Sequence, residues 1–128
     1  MQELTADVNW IAVAAGTILS FLLGWLWYSP IGFGKMWAQG SRVSLDDAAQ
    51  MPAMAMVSKF VGIFLFSWVV GITETRNALA TIILITAAFA VLLVANGYFA
   101  QKNGYARSVE AGYIIAMAIV MIGCQAVF

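Results

Sequence analysis

The stretch Trp25-Leu26-Trp27-Tyr28-Ser29-Pro30-Ile31-Gly32-Phe33-Gly34-Lys35-Met36-Trp37 decides how this chain folds. Before it, the run from Trp10 to Leu26 carries no charge; within and after it the first basic residues appear, Lys35 and Arg42. Pro30 cannot continue a helical hydrogen-bond ladder and crowds the backbone of Ser29. Trp25, Trp27 and Tyr28 are rings with one polar end, and such rings collect where lipid meets water. The stretch therefore reads as the corner where a first membrane-crossing helix surfaces and turns.

Composition points the same way. Of 128 residues, 63% are hydrophobic and 9% charged, with a mean hydropathy of +0.92. Soluble domains run near 25% charged, so the class is membrane protein. Six basic residues balance six acidic ones, which gives nucleic acid no electrostatic footing. There is no histidine, and Cys124 is the single cysteine. That removes the usual zinc sites, disulfide frameworks, Cys/His nucleophile pairs and common haem ligations, so no metal, cofactor or enzymatic role is expected. The N-terminal flank holds Glu3 and Asp7 and no Lys or Arg, unlike a secretory signal, and the first helix is expected to be retained.

Crossing about 30 Å of hydrocarbon takes roughly 20 helical residues. Four apolar segments have that length: Trp10 to Tyr28, Pro52 to Thr73, Ala78 to Ala100 and Ser108 to Phe128. They predict an all-α bundle of four transmembrane helices forming one domain over 1–128. Ser44-Leu45-Asp46-Asp47 has the form of a capping box and predicts a short surface helix in the first loop, from Leu45 to just before Pro52. Thr73 to Asn77 reads as a tight polar turn, and Gln101 to Arg107 as a second hairpin with Asn103-Gly104 as its turn signal. The first and third loops hold Lys35, Arg42, Lys102 and Arg107 against Arg76 alone on the opposite side. The excess of basic residues predicts that those two loops lie in the cytoplasm and both termini outside it.

Lipid tails are as apolar as leucine, so membrane helices associate by close backbone approach and interhelical hydrogen bonds. Ala12, Gly16, Ser20 and Gly24 recur every four residues and form a narrow stripe; Gly112 and Ala116 have the same relation in the last span. The stripe predicts helix contact within the chain or with a second copy, leaving Leu19, Leu22, Leu23 and Leu26 to lipid. The methionines, including Met51, Met54 and Met56, are expected to fill packing gaps, because no Cys or His stands beside them as a soft-metal ligand. Cys124 reads as a small buried residue.

Polar residues inside the spans carry the functional expectation. Lys59, Asn96 and Glu110 come from three different spans and fall near the same membrane face, with Tyr28, Ser29 and Tyr113 able to border them. An unpaired charge at that depth costs about 2.5–3.5 kcal/mol on the insertion scale, so Lys59 is expected to snorkel or to pair. Glu110 is its natural partner, with Asn96 hydrogen-bonding nearby.

Trp27-Tyr28-Ser29-Pro30, Phe33-Gly34-Lys35 and Trp37, together with Asn9-Trp10 and Ala111-Gly112-Tyr113, resemble the motifs of a small bacterial membrane family called domain of unknown function 1761. Glu110 stands where that family's pattern has an asparagine. The resemblance implies an integral membrane protein of about four helices and brings no established activity. The expected function is non-enzymatic: an assembly or accessory protein among membrane lipid, acting as a homo-oligomer or in a larger complex. The alternative is a small transporter or channel whose polar site is formed by Lys59, Asn96 and Glu110.

Overall fold

The computed structural model describes the backbone of residues 2–28, 32–41 and 53–128, and the side chains of 4–28, 32–40 and 57–128. Ser29, the surface helix predicted from Leu45, and the side chains of Met51, Met54 and Met56 lie outside the described residues. All the regular structure described is helical: α1 Gln2–Thr5, α2 Trp10–Trp27, α3 Gly34–Ser41, α4 Ala53–Thr75, α5 Leu79–Phe99 and α6 Gly104–Val127. Four of these, α2, α4, α5 and α6, are long and apolar enough to cross a membrane.

The ends of the helices follow from local chemistry. Asn9 caps α2 by accepting from the Ala12 N–H at 3.1 Å, and Asn103 caps α6 by accepting from the Ala106 N–H at 2.9 Å. The last helix thus begins at Gly104, four residues before the predicted apolar span. Asn103-Gly104 is a helix start and not the turn that its sequence suggests. The turn is made two residues earlier by Gln101, whose φ of 60° reverses the chain while the Lys102 N–H reaches the Gly97 carbonyl at 2.9 Å. Asn77, with φ of 52°, closes α4 in the same way, the Ala78 N–H reaching the Thr73 carbonyl at 2.9 Å.

At the corner after α2, the backbone passes directly over exposed carbonyls. A Cβ on Gly32 would lie 2.6 Å from the Leu26 oxygen and 3.0 Å from the Trp27 oxygen, so only glycine fits. The chain then enters α3, where the sequence reading placed only a turn. Its entry is fixed by the Phe33 N–H bonding the Trp27 carbonyl at 2.9 Å.

The four long helices form a ring in the order α4, α2, α6, α5, with α3 lying against α6. The core is a cluster of Ile63, Phe66, Val70, Ile82, Tyr113, Met117, Ala118 and Met121. Leu19, Leu22 and Leu26 face outward, as the stripe opposite them requires; Leu23 is half-buried.

Candidate functional site

The small-residue stripe of α2 is used inside the chain. Ala12, Gly16, Ser20 and Gly24 are all buried, and α4 and α6 run antiparallel to α2 along them. A Cβ on Gly16 would meet Ser67 Oγ of α4 at 2.7 Å and Met121 Cγ of α6 at 3.3 Å. Two turns on, a Cβ on Gly24 would meet Tyr113 Cζ of α6 at 2.7 Å and Lys59 Nζ of α4 at 2.9 Å. Ser20 lies between them, level with Ile63 and Met117 by the four-residue repeat of each helix.

Because the stripe has almost no side chains, α2 presents its backbone carbonyls to its neighbours. Ser67 Oγ donates to the Val13 carbonyl at 2.9 Å, and the Tyr113 hydroxyl donates to the Ser20 carbonyl at 2.7 Å. The Ser20 hydroxyl itself is fully buried and has no partner among the described residues. Gly112 and Ala116 contribute less than their spacing suggests. Both are only half-buried, with a Cβ on Gly112 3.4 Å from the Trp27 ring, and the buried face of α6 is instead that of Val109, Tyr113, Met117 and Met121.

At the Gly24 level the Lys59 ammonium sits among rings. Its Nζ is 5.1 Å from the Tyr113 ring centre, 5.2 Å from Tyr28 and 6.0 Å from Phe21. A ring face carries negative quadrupole density and attracts a cation, more strongly when water is excluded. Tyr28 and Tyr113 meet edge to face at 5.5 Å, so the pair forms one wall.

The expected Lys59–Glu110 pair does not form. The Glu110 carboxylate pairs with Lys102 Nζ at 2.5 Å and accepts the Trp37 indole N–H at 3.4 Å. The physical reason is the early start of α6: Glu110 lies beyond the first turn, where Lys102, in the loop just ahead of the helix, reaches it. Asn96 is likewise apart from the cluster. It is exposed on α5, and its side chain has no hydrogen bond among the described residues. Of the six residues predicted to share a site, Lys59, Tyr28 and Tyr113 are brought together, Glu110 joins through Trp37, which packs on Tyr28 at 4.9 Å, Asn96 does not join, and Ser29 lies outside the described residues.

Sequence reading did not place Trp27, Trp37, Phe21 or Lys102 in the site. The Trp27 indole donates to the Val109 carbonyl at 3.0 Å, tying the corner to α6. Arg107 stacks over Tyr98 at 3.7 Å, and its NH1 donates to the Lys102 carbonyl at 2.5 Å. The available signal was the polar end of each indole, which must find an acceptor once buried. Among the described residues no group of His, Cys, Asp and Glu is arranged to hold a metal ion.

These features define an all-helical integral membrane protein of four spans, with a cation–aromatic layer near one end of them. The family model described as "Protein of unknown function (DUF1761)" matches residues 11–125, and the chain belongs to that family. Among curated proteins nothing matches, and among solved structures nothing matches.

Proposed function

We propose that the chain is a non-enzymatic protein of the bacterial cytoplasmic membrane that works by assembly, as a homo-oligomer or as an accessory subunit of a larger membrane complex. The outer face of α5 carries this reading. Only Ile82, Thr86, Ala90 and Gly97 of that helix are buried, whereas Ile83, Leu84, Val91 and Leu92 are each more than half exposed. Asn96 adds an outward amide, a group that hydrogen-bonds across helices in lipid when a partner is present. The α2 stripe is already occupied within the chain, and α5 is the least buried of the four spans, which makes its outer face the favoured surface for a neighbour.

The interior supports assembly over transport. Beyond the Lys59 layer, Ser20, Ile63, Met117, Ser67 and Met121 fill the seam, none more than 4% exposed, so one chain offers a solute no path there. Transport would need a site between copies. The proposed orientation, with the first and third loops in the cytoplasm, rests on charge. The α2–α4 and α5–α6 connections with their flanking turns hold five basic and three acidic residues, and the opposite end holds one basic and three acidic.

Photo-crosslinking in membranes from a reactive residue at position 92 tests the assembly reading. It predicts an adduct with a second copy or with another membrane protein, weakened by Asn96→Leu. No adduct, together with proteoliposome flux that disappears in Lys59→Ala, would replace assembly by transport.

A further inference from the structure

Lys59 is the cation of this layer that has no acidic partner among the described residues. Lys102 is paired with Glu110, and Arg107 is stacked on Tyr98, but Lys59 has no carboxylate within 4.0 Å among the described residues. Its contacts are the faces of Tyr28, Tyr113 and Phe21, which hold an ammonium without neutralising it. The Tyr113 hydroxyl is committed to the Ser20 carbonyl, so Tyr113 orients the wall and leaves the charge unmet. Gly24 keeps the floor of the layer clear.

The depth of this ammonium is marked independently. Lys59 lies within two turns of the start of α4 at Ala53, beside Gly24, which is one turn from the end of α2. Around the same end, Trp25, Tyr98 and Phe99 point outward, at 72%, 63% and 89% exposure. A girdle of exposed rings marks the level where hydrocarbon gives way to headgroups. That level is where lipid phosphates lie, and this end of the chain carries the net positive charge.

We propose that Lys59, framed by Tyr28 and Tyr113, is a binding site for a phosphate-bearing anion, and that the headgroup of an anionic phospholipid supplies it. The phosphate supplies the counterion that Lys59 lacks among the described residues. The ammonium donates to phosphate oxygen while the Tyr28, Tyr113 and Phe21 rings flank it, and Gly24 lets it sit against α2. Binding at this site does not depend on which surface the chain uses for assembly.

Native mass spectrometry of the full chain, released from mild detergent, reads the result directly. The wild type is expected to retain phosphatidylglycerol about fivefold better than phosphatidylcholine, and Lys59→Gln to abolish that preference. Lys35→Gln, which removes an exposed lysine of α3, is expected to keep it. Adding inorganic phosphate separates the sources. Unchanged lipid retention supports the headgroup, whereas Lys59-dependent displacement supports the site but assigns it to a free phosphate compound. Equal retention of the two lipids by the wild type overturns the proposal without any variant. Preference retained in Lys59→Gln, whatever Lys35→Gln does, overturns it as well.

Discussion

At Gly24 a single missing methyl group decides the geometry of the layer. A Cβ there would overlap Tyr113 and crowd the Lys59 ammonium, so Gly24→Ala is expected to destabilise the detergent-solubilised protein by about 1–3 kcal/mol. Tyr113→Phe removes only one interhelical hydrogen bond, worth on average about 0.6 kcal/mol in membrane bundles. Thermal unfolding of both variants should rank Gly24→Ala as the more damaging; the reverse order would contradict the packing described. The glycine was legible in the sequence, because spacing by four marks a stripe whatever lies opposite. The partner of Lys59 was not. Charge pairing nominated Glu110 as the one nearby acid, but the aromatic faces were nearer and Lys102 was better placed for the acid. Ring faces leave no charge in a sequence by which to find them.

The helices themselves were legible wherever hydrophobicity and helix coincide. Spans predicted at Trp10 to Tyr28 and Ala78 to Ala100 are found at Trp10–Trp27 and Leu79–Phe99. They diverge at α6 and α3, where polar or glycine-rich residues are helical. Asn103 starts α6 inside a segment that looked like a loop, because a side-chain cap overrides composition. The same residue ties α3 down, its backbone N–H bonding the Gly40 carbonyl at 3.1 Å. Asn103→Ala is expected to cost about 1 kcal/mol through the lost cap. Asn103→Asp, which keeps the accepting oxygen, should retain most of that stability. Equal losses in the two variants would show that the cap does not hold the helix.

Across the whole molecule, two ends of opposite charge are separated by four apolar helices. Among the described side chains, Lys35, Lys59, Lys102 and Arg107 stand with Glu110 at one end, and Arg76 with Asp7 and Glu74 at the other. In a Cys124→Ala background, a membrane-impermeant thiol reagent applied to intact cells should label Arg76→Cys from outside and Lys35→Cys only after lysis. The opposite pattern would invert the proposed orientation. A second measurement reaches the packing itself, the insertion of α4 and α6 against the side-chain-poor face of α2 within one chain. With Cys124→Ala, Gly16→Cys and Ser67→Cys combined, mild oxidation in native membranes should join the two cysteines inside a single chain, giving a shifted monomer on a non-reducing gel. A disulfide-linked dimer, or no bond at all, would contradict it, because the stripe would then face another molecule or nothing.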